Sequence, residues 1–169
     1  MEYLTRLASP VGELTLASDG EALMGLWIAG QKYHSAGLGP EATEADLPVF
    51  GAAAAWLERY FSGERPEPRE LPLAPRGSDF RQRVWRLLLE IPGGELATYA
   101  ELASRLSTSP RAVGSAVGRN PISIIIPCHP VVGSDGGLPR YAAGLEVKLQ
   151  LLRREGVDFR QGPNGWYIV

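Results

Sequence analysis

Residues 98–120 read TYAELASRLSTSPRAVGSAVGRN and contain two helix start signals close together. Thr98 is followed three positions later by Glu101, which is the spacing of a capping box. Ser109 stands before a proline, and a serine cap followed by proline in the first turn is the second signal. The stretch therefore predicts a helix-turn-helix unit whose second helix is residues 110–119. A pair of packed helices that never touches DNA has the same pattern.

The second predicted helix is unusually rich in small residues. They are Ala112, Gly114, Ser115, Ala116 and Gly118. A glycine inside a helix costs about 1 kcal/mol relative to alanine, so two of them need a physical reason. Close packing against another helix is one explanation, and close approach to a nucleic-acid backbone is the other. Arg111, at the start of the helix, could extend past this small surface.

A reactive pair of side chains follows this helix. Residues 121–132 read PISIIIPCHPVV, an apolar run that predicts a short buried strand or extended segment. It contains Cys128, the only cysteine, beside His129, one of two histidines. A nearby base can lower the apparent pKa of a thiol from about 8.5 and make it a nucleophile. Neighbours on an extended segment point to opposite faces, so the proton would pass through a bridging water.

Two further points about this pair stay open. The base would need an acidic side chain to orient it, and Glu155 is the best candidate by residue type. Spacing alone does not show that Glu155 folds back to the histidine. Cys128 could also be a small buried apolar residue with no chemistry.

The remaining patterns predict an α+β fold with two lobes. Residues 1–30 alternate apolar and polar side chains and predict two or three short antiparallel strands, followed by an alanine-rich helix. A proline-rich stretch then suggests a linker, and we place the lobe boundary near residue 75. The expected domains are 1–75, a small antiparallel sheet lobe with a helix, and 76–169, a mainly helical lobe that contains the helix-turn-helix. In the second lobe the helix ranges are 79–89, 98–106, 110–119 and 145–155, before a closing hairpin.

Composition limits the classes of function. The chain of 169 residues is 44% hydrophobic and 21% charged, without an apolar run of the roughly 20 residues that a membrane helix needs. Its N-terminus lacks the basic start and apolar stretch of a secretory signal, so we expect a cytoplasmic protein without a membrane partner. One cysteine excludes an internal disulfide. With two histidines it is too few for a four-ligand structural zinc site, and we expect no metal. We expect a monomer.

Charge is unevenly distributed between the predicted lobes. The net charge is −2, but residues 1–75 carry 5 basic and 11 acidic side chains, whereas residues 76–169 carry 12 and 8. A basic C-terminal half is compatible with a polyanion that binds there. It is equally compatible with an ordinary solvated surface.

Four motifs resemble the O6-alkylguanine-DNA alkyltransferase family. They are RAVGSAVGRNP, IPCH, VVG and YAAGLEVKLQLLRREG, in this order. The resemblance is strong over residues 76–158, whereas the N-terminal lobe matches only in layout. It implies DNA repair by direct reversal of damage, in which a cysteine takes the alkyl group from O6 of guanine irreversibly and without a cofactor. The partner that it implies is double-stranded DNA carrying O6-alkylguanine.

The same resemblance assigns roles to the reactive residues. Cys128 would be the alkyl acceptor, kept poised as a thiolate by His129 through a water and by Glu155. Asn120 would brace the turn between the recognition helix and the cysteine segment. Tyr99 would donate a proton to the departing guanine.

It also implies how the lesion is reached. The family binds the minor groove and rotates the damaged base out of the stack, and Arg111 would fill the gap. The rest of the DNA-binding face would be Ala112, Gly114, Ser115, Gly118 and Arg119. We expect Ala116 on this small exposed face as well. The base pocket would comprise Tyr99, Val131, Tyr141 and Ala142.

The chain departs from the family pattern at Pro130, where an arginine is common. An ion pair from that position is therefore not expected here. Two other functions are compatible with parts of the pattern. A lesion sensor that flips alkylated bases without reacting is one, although relatives of that kind lack the cysteine. A cysteine hydrolase using Cys128 and His129 is the other, but no oxyanion hole is evident.

Overall fold

The structure is a computed structural model that describes residues 1–138, 144–163 and 165–169. In chain order the strands are β1 (Tyr3–Leu7), β2 (Leu14–Ser18), β3 (Leu23–Ile28), β4 (Thr43–Glu44), β5 (Ala97–Thr98), β6 (Val131–Val132), β7 (Phe159–Gly162) and β8 (Gly165–Ile168). The α-helices are α1 (Pro48–Phe61), α2 (Asp79–Leu88), α3 (Tyr99–Arg105), α4 (Pro110–Gly118) and α5 (Leu145–Arg154). A 3₁₀ turn covers Pro68–Glu70. None of the described helices is long and apolar enough to cross a membrane.

The first compact unit comprises Met1–Gly77 together with Pro121–Ile125. Its sheet has the strand order β3-β2-β1-β4, in which β1, β2 and β3 are antiparallel and β4 pairs in parallel with β1. The three antiparallel strands confirm the prediction for residues 1–30. β4 was not predicted, because its two exposed residues carry no apolar pattern.

The proline-rich stretch belongs to this unit. The backbone N–H of Leu23 donates to the carbonyl of Pro72 at 2.8 Å, and the N–H of Ala74 donates to the carbonyl of Leu23 at 2.8 Å. The indole of Trp56 donates to the carbonyl of Glu67 at 2.9 Å. These hydrogen bonds attach the stretch to β3 and α1, so its proline composition does not make it a free linker.

Residues 121–125 do not form the expected strand. Ile122 makes a single parallel bridge to Leu26, flanked by backbone bonds of 2.8 Å and 3.0 Å. The chain then turns: Ile124 has a φ of +72°, and the N–H of Ile125 donates to the carbonyl of Ser123 at 2.8 Å. Of the strand or extended segment predicted over residues 121–132, only Val131–Val132 forms a strand, β6. The apolar run reflects burial of a turn on all sides, which periodicity cannot distinguish from a strand.

The second compact unit comprises Ser78–Asn120 and Ile126–Val169. Its first three helices begin at the predicted caps, because the side chains of Ser78, Thr98 and Ser109 each accept a backbone N–H three residues later. The helix-turn-helix of α3 and α4 is therefore confirmed. The closing hairpin of β7 and β8 is also confirmed.

The small residues of α4 divide between two environments. Ala116 is buried, and its carbonyl accepts the indole N–H of Trp85 at 2.9 Å. Its predicted place on the exposed face was wrong: Ala116, Val113 and Val117 form the inner side of the helix. A small residue at position 116 lets the backbone of α4 approach the indole ring of Trp85 in α2 closely.

Candidate active site

Cys128 lies in a tight turn just before β6. The N–H of Val131 donates to the carbonyl of Cys128 at 3.3 Å, which closes the turn. The N–H of Ala97 donates to the carbonyl of Pro130 at 3.1 Å, and β5 pairs in parallel with β6. Pro130, which departs from the family pattern, thus contributes a backbone carbonyl that accepts a hydrogen bond. The thiol residue is only 3% exposed.

His129 is paired with Glu155. The imidazole Nε2 contacts Oε2 of Glu155 at the end of α5, and the two side chains are 1% and 12% exposed. The other carboxylate oxygen accepts the N–H of Gly94 at 3.2 Å. Glu155 therefore folds back to the histidine, which sequence spacing alone could not show.

This pairing assigns the proton on the imidazole. A carboxylate accepts hydrogen bonds, so Nε2 carries the hydrogen and Nδ1 of His129 keeps its lone pair. Nδ1 is buried and has no hydrogen-bond partner among the described residues. The arrangement leaves a nitrogen with a free lone pair on the residue that follows the cysteine in the chain, and the carboxylate could stabilise an imidazolium formed there.

Tyr99, the first residue of α3, supplies a partly buried phenol. Burial raises its pKa to about 12, and the charge of a Cys128 thiolate adds to the effect. The phenol therefore keeps its proton at neutral pH and can act as a donor. A Cβ atom at Gly114 would lie 3.7 Å from the ring, which places the ring beside α4.

An open groove of about 490 Å³ lies between the starts of α3 and α4 and the turn after β6. Its described lining is Tyr99, Ala100, Pro110, Arg111, Gly114, Gly133 and Ser134. Sequence analysis missed Gly133 and Ser134, although a glycine-containing turn directly after the cysteine segment was a usable signal. Val131, a predicted pocket residue, is fully buried and is not part of this lining. Tyr141 and Ala142, the other predicted pocket residues, lie outside the described residues.

The outer side of α4 carries the predicted DNA-binding residues. Arg111, Ser115 and Arg119 are exposed, while Ala112, Gly114 and Gly118 are partly exposed. A Cβ atom at Gly118 would meet no described atom within 4 Å, so packing within the chain does not require this glycine. An external partner could therefore approach the backbone of α4 closely on this face, because the side chains there are small.

Asn120 connects α4 to the cysteine segment. Its side-chain amide donates to the carbonyl of Ile126 at 2.8 Å, and the residue is buried. The bond joins the two residues that flank Pro121–Ile125, the segment that belongs to the first unit. The family resemblance implied that this residue braces the turn, and the hydrogen bond is compatible with that role.

Lys148 is a buried residue that sequence analysis missed. Its ammonium donates to the carbonyl of Val131 at 2.8 Å, and the side chain is 1% exposed. Burial lowers the pKa of Lys148 to about 8, while the charge of Cys128 opposes this shift. A signal was present: position 148 falls on the apolar stripe of α5 with Leu145, Leu149 and Leu152.

No metal site is evident in the part of the chain that the structure describes. No group of three His, Cys, Asp or Glu side chains there could hold a metal ion.

Known proteins match the chain over nearly its whole length. The sequence profile described as 6-O-methylguanine DNA methyltransferase, ribonuclease-like domain, matches residues 3–75. The profile described as 6-O-methylguanine DNA methyltransferase, DNA binding domain, matches residues 79–157.

Individual relatives agree with these profiles. The methylated-DNA–protein-cysteine methyltransferase of Haemophilus influenzae is 44% identical over 160 residues, which is 93% of this chain and 88% of that protein. The protein of the same name from Methanosarcina barkeri is 44% identical over 94% of this chain and 99% of its own length. The crystal structure of Mycobacterium tuberculosis OGT in complex with DNA superimposes with a TM-score of 0.82 at 41% identity, covering 90% of this chain and 92% of that one. The chain belongs to the 6-O-methylguanine DNA methyltransferase family.

Proposed function

We propose that this protein repairs DNA by moving an alkyl group from O6 of guanine to Cys128. The observation that carries the proposal is the buried cysteine beside an imidazole whose far nitrogen is held by Glu155. The name that these relatives share, methylated-DNA–protein-cysteine methyltransferase, supports it.

The chemistry follows from the arrangement of protons. Nδ1 of His129 takes the thiol proton, directly or through a water, and Glu155 stabilises the resulting imidazolium. The sulfur then attacks the alkyl carbon, a C–S bond forms, and the C–O bond breaks with its electron pair on the purine. Tyr99, which is protonated at neutral pH, donates a proton to the leaving base and so offsets the charge that develops there.

The lesion must leave the duplex for this reaction. An in-line attack on the alkyl carbon is not possible while the base is stacked, and extrusion costs a few kcal/mol. In the proposal the small outer face of α4 enters the minor groove and Arg111 occupies the gap in the stack. The groove between α3 and α4 is open next to Tyr99, where the extruded base would be received.

Each molecule should act once. The product is a thioether, which offers water no good leaving group, so Cys128 is not regenerated and no cofactor is involved. The acceptor must be a reduced thiol, which is why a reducing compartment, the cytoplasm, is part of the proposal.

Incubation with a duplex oligonucleotide containing one O6-methylguanine tests the proposal. Peptide mass mapping is expected to find one added methyl group on Cys128, at no more than one per protein molecule. The Cys128→Ser variant serves as the control and should gain none. A wild-type protein that binds the duplex to saturation and keeps an unmodified thiol would refute alkyl transfer and favour a non-reacting lesion sensor.

A further inference from the structure

Lys148 is a costly residue that the mechanism above does not use. Among the described residues it is the one lysine, arginine, aspartate or glutamate that is buried. It lies on the apolar side of α5 beside Leu149, Leu151 and Leu152, where an apolar side chain would avoid the loss of hydration that an ammonium suffers. A buried ammonium in this place calls for a role.

The contacts of Lys148 lead to the acceptor cysteine. Its Nζ donates to the carbonyl of Val131 at 2.8 Å, and the N–H of Val131 donates to the carbonyl of Cys128 at 3.3 Å. The lysine is thus attached to the turn that presents the thiol. The two side chains also interact electrostatically: the charge of Cys128 raises the pKa of Lys148, against the larger effect of burial.

Charge balance explains why a cation is needed there. When the thiol proton moves to His129, the site contains a thiolate, an imidazolium and the carboxylate of Glu155. These three groups carry one net negative charge in a region shielded from water, where an unbalanced charge raises the free energy of the folded protein. The ammonium of Lys148 makes the group neutral. The phenol of Tyr99, whose pKa is raised by burial and by the charge of Cys128, is uncharged at neutral pH.

We propose that Lys148 is the buried counter-charge that keeps Cys128 ionised, held in position by the carbonyl of Val131. The inference rests on the proposed function, since an ionised sulfur matters only if it is the acceptor. Lys148 need not touch the alkylated base: it acts on the sulfur through the electrostatic field and on the turn through a hydrogen bond.

The first test measures ionisation of the thiol, not repair. Cys128 is the only cysteine, so the ultraviolet absorbance of a thiolate reports on it alone once the Cys128→Ser protein is subtracted. In Lys148→Met the midpoint of thiol ionisation is expected to rise by about one pH unit or more, which leaves about tenfold less thiolate at pH values below the midpoint. An unchanged midpoint in a folded variant would overturn the proposal.

Trp85→Phe is the matched control. It removes a buried hydrogen bond from a side chain to a backbone carbonyl in the same unit, that of Trp85 to Ala116 at 2.9 Å, without removing a charge. It should leave the thiol midpoint where it is. If both variants shift the midpoint equally, Lys148 is a structural tether and the counter-charge is refuted.

A second test needs no substitution of the lysine. The pKa of Lys148 can be followed by the NMR shift of its side-chain carbon next to the nitrogen, in wild-type protein and in Cys128→Ser. We expect a value lower by about one unit or more in the serine protein, because the thiolate no longer stabilises the ammonium. Equal values would overturn the proposal even if Lys148→Met does not fold. Methyl transfer in the oligonucleotide assay is a separate readout, so failure of this inference can be distinguished from failure of the proposed function.

Discussion

The imidazole of His129 lies against the carboxylate of Glu155, although 26 positions separate the two residues in the chain. One belongs to the turn before β6 and the other ends α5, and the second oxygen of the carboxylate is bound by the N–H of Gly94. The carboxylate is therefore fixed from two sides. Because Nε2 of His129 is bound to the carboxylate, Nδ1 is the nitrogen that can act as a base.

Replacing Glu155 by glutamine should slow methyl transfer by about a hundredfold, because an amide neither fixes the proton on Nε2 nor stabilises the imidazolium. The rate constant for methylation of Cys128 by a lesion-containing duplex measures the effect. Glu90→Gln is the control, since Glu90 is an exposed partner of Arg105 at 3.2 Å. Equal rates for the two variants would contradict the role of Glu155.

Arg111→Ala should reduce repair in a duplex more than repair in a single strand. Only a duplex has a base stack that the side chain can fill, so the loss on duplex DNA is expected to be about tenfold or greater and the loss on single strands small. Parallel rate measurements on the two substrates check this. Arg105→Ala, in the neighbouring helix, controls for loss of one positive charge. Matching losses on both substrates would argue against insertion of Arg111.

Gly118→Ala should stabilise the folded protein in the absence of DNA and weaken its binding to DNA. A Cβ atom at this position meets no described atom within 4 Å, so alanine is expected to add about 0.5 to 1 kcal/mol to the free energy of unfolding. The same methyl group would meet DNA packed closely against α4, lowering the affinity. Gly51→Ala in α1, where a Cβ atom also meets nothing described, is the control and should change stability alone. Unaltered DNA affinity in Gly118→Ala would exclude a tight fit at this point.

Stability should rise with pH from about pH 8, because of Lys148. Burial lowers its pKa from 10.5 to about 8, so above pH 8 the unfolded chain binds a proton that the folded chain has released. The full effect is on the order of 3 kcal/mol. Tyr99 acts in the opposite direction above pH 10, since its pKa is raised from 10.0 to about 12 and the folded state retains that proton. Denaturant unfolding between pH 7.5 and about pH 9.5 therefore isolates the lysine.

The Lys148→Met protein should lack this rise. A wild-type curve that is flat across this window, or one that Lys148→Met shares, would contradict the role of the lysine in the pH dependence.

Signals confined to a few neighbouring residues were sufficient for much of the fold. Ser78, Thr98 and Ser109 cap their helices as predicted, because a cap is a contact between a side chain and a backbone N–H three residues away. The antiparallel strands of the first unit were equally readable from alternation. In contrast, the pairing of β5 with β6 joins two-residue strands that are far apart in the chain and have no local pattern.

The errors came where burial has more than one cause. The run before Cys128 is apolar on all sides because it is a buried turn in the first unit, not a strand. Ala116 is small because α2 packs against it, not because it faces a partner. Composition alone cannot separate these causes, since each places small or apolar residues at the same positions.

Residue types and short spacings were enough to identify the cysteine, its histidine neighbour and the two helices, because these depend on contacts within a few positions. The family was identified by the resemblance of four motifs to known sequences. Tertiary packing alone placed Glu155 on His129, the phenol of Tyr99 beside α4 and the ammonium of Lys148 on the carbonyl of Val131. Each of these contacts forms between segments that meet only after the chain has folded. The electrostatics of the thiol depend on those distances and on burial, and neither is encoded in local spacing.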